Sequence, residues 1–204
     1  EPKGVKQLTK GLTLGQLMKV ERRVNQDPEE RLALDPNKPK AILLAGGGGT
    51  RIRLLEGDPN YNRPKVQLLL DIGGGIKKTI SELLFEQIDK ANMEAVVVLP
   101  GSPDFNKEVR QACVGKAMVT QQYPLGTGHA AMQAERILRD YNGVVVIVYS
   151  DMPLVTSDIL TGLVKKCLGS QDKRIVASVL AGTLDNPLNP INYGKVMIDE
   201  KTGN

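Results

Sequence analysis

From residue 40 onward, strand-length runs of apolar residues alternate with stretches whose apolar positions recur every three to four residues. The runs fall at 41–45, 67–72, 95–99, 117–121, 144–149 and 174–181, and the helical stretches at 79–91, 103–113, 128–140 and 157–168. "AILLA", "AVVVL" and "VVVIVY" are apolar at every position, so the strands they predict are buried on both faces. Such strands separated by helices predict an α/β fold, a Rossmann-like, mostly parallel open sheet with helices on both faces. Ser102-Pro103-Asp104 and Thr156-Ser157-Asp158 carry the residue types that start helices.

Before this alternation, residues 1–39 read as a polar helical leader. It contains one amphipathic stretch, "LTLGQLMKVERRV", and a second helix start at Asp27-Pro28-Glu29-Glu30. "LDPNKPK" reads as a linker into the domain. At the other end, "GKVMIDEKTGN" predicts a strand entering a turn without a returning partner, so residues 40–204 are expected to be a domain cut short at its C-terminus. The opening residue, Glu1, similarly suggests trimming at the front.

Composition narrows the function classes. The chain has 204 residues, with 41% hydrophobic and 25% charged, a soluble globular balance. Two phenylalanines, five tyrosines and no tryptophan leave too few rings for a base-stacking surface, so single-stranded nucleic acid is not an expected partner. The net charge of +4 is compatible with an anionic small molecule. Cys113 and Cys167 lack metal-type spacing and are expected as buried free thiols in helices. No apolar run approaches the ~18 residues of a spanning helix, and no signal peptide is present, which predicts a cytoplasmic protein without membrane contact.

Chemistry concentrates at "ILLAGGGGTR", residues 42–51. Four glycines closing a strand expose backbone N–H groups suited to phosphate oxygens, whereas a tight turn needs only one or two. The Walker pattern GxxxxGK[ST] is absent, and GxGxxG fails because its third glycine would be Arg51 or Ile52. The run ends instead on a permanent cation. Gly46–Arg51, Gln121–Gly128 and Tyr149–Asp151 all fall at carboxyl ends of predicted strands, where open sheets bind ligands, so one site can draw on all three.

"LAGGGGTR" at 44–51 with "RPK" at 63–65 resembles the LxxGxGTR…PK signature of the sugar-nucleotide pyrophosphorylases. "QQYPLGTGHAAMQA" at 121–134, "YSDMPLV" at 149–155 and "NYGKV" at 192–196 bring the resemblance nearest to the pyrophosphorylase domain of bacterial N-acetylglucosamine-1-phosphate uridylyltransferases. The resemblance spans residues 40–198 and implies a Mg²⁺-dependent enzyme coupling UTP, or another NTP, with a sugar 1-phosphate, foremost N-acetylglucosamine 1-phosphate. Residues 40–204 then hold the nucleotide-binding part of a nucleotidyltransferase domain.

The resemblance further implies a nucleotide-binding set of Gly46, Gly47, Gly48, Gly49, Thr50, Gln121, Gly126 and Thr127. Within it Gly46, Gly47, Gln121 and Gly126 match the uracil contacts. Arg51 and Lys65 match the cations on the triphosphate, Asp151 the Mg²⁺ ligand, and Tyr149 and Gly194 the sugar-phosphate contacts. His129 is expected to be structural, since a sugar phosphate is already an anionic nucleophile. Three features depart from the family. The Arg51–Lys65 loop is longer than usual, "DIGGGIKKT" replaces a G-K-P-M segment, and Gly48 stands where a lysine is common. Two other classes compete: a nucleotide-sugar-binding module without turnover, and a dinucleotide-dependent oxidoreductase. Asp71 is suitably spaced for the latter, but the failed fingerprint opposes it.

Overall fold

The computed structural model describes residues 34–46, 56–61, 63–101, 109–169 and 178–180. Four strands, β1 (Lys40–Leu44), β4 (Glu94–Pro100), β5 (Ala117–Gln121) and β6 (Val145–Tyr149), form one sheet in the order β5-β4-β1-β6. All three pairings are parallel. β1 is buried at all five positions, as its unbroken apolar run requires.

Alternate residues of the strands serve two cores. Ala41, Leu43, Val97, Leu99 and Val148 face one side, where α1 (Ile80–Lys90) contributes Leu84 and Ile88 and α4 (Ser157–Gly169) contributes Leu160 and Val164. Ile42, Leu44, Val96, Val98 and Val119 face the other side, where Ala130 of α2 (Thr127–Met132) and Ala134 pack. β1, β4 and β5 are therefore covered on both faces, as expected. β6, at the edge of the four described strands, buries Val146 and Val148 and leaves Val145, Ile147 and Tyr149 exposed, so the double burial expected from "VVVIVY" does not hold there. α1 begins in a capping box: Thr79 Oγ1 accepts the Glu82 N–H at 3.2 Å, and the Glu82 carboxylate accepts the Thr79 N–H at 2.7 Å.

The expected strand 67–72 takes another form. Residues Lys65–Gln67 make a 3-10 turn, and β2 (Leu69–Asp71) pairs antiparallel with β3 (Lys77–Thr79) outside the main sheet. Gly73, Gly74 and Gly75 join them with φ of 96°, 63° and 77°, a left-handed run that only glycine adopts cheaply. The expected helix 128–140 is interrupted at Gln133–Ala134, leaving α2 and a short α3 (Glu135–Leu138). Of the expected helix 103–113, residues 109–112 are helical, and its proposed start lies outside the described residues. Residues 178–180 are irregular rather than strand; the rest of the 174–181 run, the leader through residue 33 and the C-terminal turn lie outside the described residues.

The amino-terminal end of the sheet is fastened by Lys40, 1% exposed. Its ammonium donates to the Lys38 carbonyl at 2.7 Å, to Glu94 Oε2 at 2.8 Å and to the Asp35 carbonyl, and lies 4.7 Å from the Tyr141 ring centre. These contacts tie the linker to β1 and β4 at the end opposite the site. Cys113 is a buried free thiol; Cys167, expected to be buried, is only half-buried because its helix α4 lies toward the surface there, with Sγ 3.2 Å from Ser178 Oγ. Among the described residues, no helix is long and apolar enough to cross a membrane.

Candidate nucleotide site at the carboxyl ends of the strands

The chain runs outward from β1 through β4 to β5, then returns across β1 to lay down β6. The order therefore reverses between β1 and β6, the position at which open α/β sheets bind ligands. Leu44 is opposite Tyr149 in this pairing, so Gly46 and Asp151 each stand two residues past a paired strand end. Pro100 is likewise opposite Gln121, which brings the end of β5 to the same edge.

Lys65 reaches this edge from the 3-10 turn. Val66 is buried in the core, and Gln67 is buried with its Nε2 donating to Ser81 Oγ at 3.1 Å. With both neighbours anchored inward, the Lys65 ammonium meets Asp151 Oδ2 at 3.1 Å. The preceding loop is held to β2 by Asn60, whose Oδ1 accepts the Leu69 N–H and whose Nδ2 donates to the Leu69 carbonyl at 3.1 Å. The unusual length of the Arg51–Lys65 loop thus does not carry Lys65 away from Asp151.

Gln121 is 7% exposed and donates through Nε2 to the Gly126 carbonyl at 3.1 Å and to Nδ1 of His129 at 2.9 Å. Gly126 has φ 103°, so glycine is required there by conformation, and its carbonyl also accepts the Ala130 N–H that opens α2. At Gly46 the protein itself demands no glycine: a β-carbon would stand 3.6 Å from Gln121 Oε1 and 4.0 Å from Pro100, an ordinary contact. Thr127 is the exposed first residue of α2, and Tyr149 is 46% exposed at the end of β6, available at the edge rather than packed as core.

The structure thus brings Lys65 to Asp151 and Gln121 to Gly126, all at one edge of the sheet. Gly47, Gly48, Gly49, Thr50, Arg51 and Gly194 lie outside the described residues. Two features escape sequence reasoning. One is the Lys65–Asp151 pair itself, since those residues are read separately as phosphate and metal ligands. The other is the engagement of His129 with Gln121; both lie in "QQYPLGTGHAAMQA", but the eight-residue separation across a helix start leaves no periodic signal.

The donor set can be tested against the expected Mg²⁺. Among the described residues no three His, Cys, Asp or Glu side chains gather into a cage. A single half-exposed carboxylate, Asp151, fits the way Mg²⁺ is held by one or two carboxylates together with substrate phosphates and waters.

Comparison with known proteins gives the following. The model of the family described as the MobA-like NTP transferase domain matches residues 41–200. The chain is 31% identical over 131 residues to the bifunctional protein GlmU of Caulobacter vibrioides, covering 63% of this chain and 26% of that protein. It is 34% identical over 125 residues to GlmU of Francisella tularensis subsp. novicida, covering 60% and 24%. The chain thus spans about a quarter of the length of the curated relatives it matches. Among solved structures, a nucleotidyl transferase of Methanothermobacter aligns with TM-score 0.46 and 22% identity over 63% of this chain and 57% of that one. The 4-diphosphocytidyl-2C-methyl-D-erythritol synthase of Anaerococcus prevotii aligns with TM-score 0.45 and 12% identity over 66% and 52%.

Proposed function

The chain belongs to the MobA-like NTP transferase domain family, and from that premise we propose that it joins UTP to a sugar 1-phosphate, releasing pyrophosphate. N-acetylglucosamine 1-phosphate is the favoured acceptor. The observation that carries this reading is the Lys65–Asp151 pair at the strand-order reversal, where Gly46 and Asp151 each follow a paired strand end by two residues. It supplies one cation for phosphate and one anion for a metal at the place where an α/β sheet binds nucleotides.

In this reading the main-chain amides of Gly46, Gly47, Gly48, Gly49 and Thr50 surround the triphosphate, and Gln121, Gly126 and Thr127 receive the base and ribose. Arg51 and Lys65 grip the phosphates and stabilise the charge that grows on the leaving pyrophosphate. Tyr149 and Gly194 hold the sugar phosphate. Its oxygen attacks the α-phosphorus in line; the new P–O bond forms as the bond to the β-phosphate oxygen breaks. The acceptor phosphate is already anionic, so no side chain needs to remove a proton, and catalysis is positioning and charge neutralisation. Asp151 is the protein ligand for Mg²⁺, which when bound supplies positive charge to the triphosphate.

Pyrophosphate release from UTP and a panel of sugar 1-phosphates tests the reading. Release with N-acetylglucosamine 1-phosphate supports it. Nucleotide binding without pyrophosphate release, across the panel and with Mg²⁺ present, replaces the enzyme by a binding module.

A further inference from the structure

Lys65 carries its charge on a flexible four-carbon stem, so where the ammonium acts depends on how firmly the backbone beneath it is held. After Lys65 the chain is fixed by the buried Val66 and by Gln67, whose Nε2 donates to Ser81 Oγ at 3.1 Å; Ser81 is itself 2% exposed. Before Lys65 the chain belongs to the unusually long Arg51–Lys65 loop and is exposed at 56–59, 61 and 63. Among the described residues from 56 to 63, Asn60 is the one that turns inward, to half-buried. Local turns set its direction. Asp58 Oδ1 accepts the Asn60 N–H at 2.7 Å, the Asp58 carbonyl accepts the Tyr61 N–H at 2.9 Å, and the Asn60 carbonyl accepts the Arg63 N–H at 3.0 Å.

In an antiparallel pair, alternate residues turn their backbone groups away from the partner strand. Leu69, opposite Thr79, is such a residue, whereas the neighbouring Leu68 carbonyl accepts the Ile80 N–H at 3.1 Å. Asn60 meets both outward groups of Leu69: its Oδ1 accepts the N–H, and its Nδ2 donates to the carbonyl at 3.1 Å. Among the described residues these are the only side-chain hydrogen bonds from 56–64 to a strand. One asparagine thus stands where a third strand would pair. The two bonds close a loop from Asn60 to Leu69, with Lys65 five residues after one end and four before the other.

We infer that Asn60 is a positioning residue for Lys65: by pairing with the backbone of Leu69 it makes the long loop a fixed brace, from which the ammonium meets the triphosphate. This rests on the nucleotide-binding reading above and adds to it a residue that lies in none of the motifs of the resemblance. Without Asn60, Lys65 is anchored on one side only. The freedom it gains must be given up again when nucleotide binds, which appears as lost affinity. The loss has a ceiling, because a residue that acts through Lys65 cannot cost more than Lys65 itself.

Calorimetric titration of the wild type, N60A, K65A and N60A/K65A with Mg²⁺·UTP completes a double-mutant cycle. N60A should weaken binding about three- to tenfold, the range set by the loss of hydrogen bonds of this kind. K65A should weaken it further, and adding N60A to K65A should then change affinity by less than about twofold. A general loosening of the fold would instead weaken binding equally in both backgrounds. Wild-type affinity in a folded N60A, an equal loss with Lys65 absent, or a loss larger than that of K65A overturns the positioning role alone. No binding of Mg²⁺·UTP by the wild type removes the nucleotide-site reading and the inference with it. Amide hydrogen exchange of the wild type needs no variant and decides the matter if N60A does not fold. The Leu69 N–H should exchange slowly without nucleotide, and exchange at the rate of an open chain overturns the brace.

Discussion

Replacing Asp151 by asparagine should change nucleotide affinity in opposite directions with and without Mg²⁺. In the free protein the Lys65 ammonium is 3.1 Å from Asp151 Oδ2, with the lysine side chain 16% and the aspartate 48% exposed. On the reading proposed above, Lys65 exchanges its Asp151 contact for the triphosphate. Solvent screens a pair this open, so separating it costs ~0.2–1 kcal/mol. Asp151→Asn removes that cost and a negative charge from the phosphate site. Metal-free UTP should therefore bind about 1.4- to 5-fold tighter. With excess Mg²⁺ the sign reverses. On the same reading the wild-type carboxylate would hold the metal and release Lys65 to the phosphates, whereas the asparagine would offer only a weak neutral ligand. Calorimetry with UTP in EDTA and then across a Mg²⁺ series gives both numbers on one preparation. Loss of a single screened pair should move the melting temperature by less than about 4 °C for a domain of this size, so unfolding cannot imitate the result. Weaker metal-free binding, or a Mg²⁺ dependence superimposable on the wild type, refutes the exchange of partners.

Arg51→Ala should slow pyrophosphate release by roughly 10²–10³-fold, as loss of one preorganised charge donor does; a rate within threefold of the parent removes Arg51 from the site. Thr79→Ala deletes the hydroxyl that caps α1 and should lower stability by ~1 kcal/mol in denaturant titration, with activity retained. The same box predicts an acid effect. Hydrogen bonds from the Thr79 backbone and hydroxyl hold the Glu82 carboxyl below its usual range. Its contribution is present above the unfolded pKa and is lost as pH falls through the folded one, so Thr79→Ala should flatten the acid limb of a stability–pH curve. Burial pushes the Cys113 thiol up to about 11 from 9.0. The folded state keeps its proton after the unfolded chain has lost it, so stability should decline as pH rises from about 9 toward 11. A thiol reagent should accordingly label the half-buried Cys167 first and Cys113 only on unfolding; equal rates would contradict the burial of Cys113.

Three strands of the main sheet were legible because they are buried on both faces. β1, β4 and β5 carry apolar runs that no helical period explains, and each forms within a residue or two of its run. The 67–72 run misleads for a physical reason. Its flank carries three glycines, and the left-handed backbone they permit folds β2 back on β3 before it can join a sheet. The helix expected over 128–140 is interrupted at Gln133–Ala134, where the two N–H groups bond three residues back, to Ala130 and Ala131, a local tightening that periodicity does not show.

The site divides in the same way. Glycine runs and acids after strands follow from the general behaviour of open sheets, so Gly46, Gln121 and Asp151 could be placed at one edge from the sequence alone. Which groups touch could not be, since Lys65 and Asp151 are 86 residues apart. Their meeting depends on two independent facts: β6 pairs with β1 rather than β5, and Val66 and Gln67 turn inward. Had β6 joined the outer edge of β5, Asp151 would stand two strands further from β1, about 10 Å beyond its present separation at the spacing of neighbouring strands. The pair would then be unreachable. The reversal in strand order is therefore what brings together Lys65 and Asp151, the cation and the anion to which the proposed function assigns phosphate and metal.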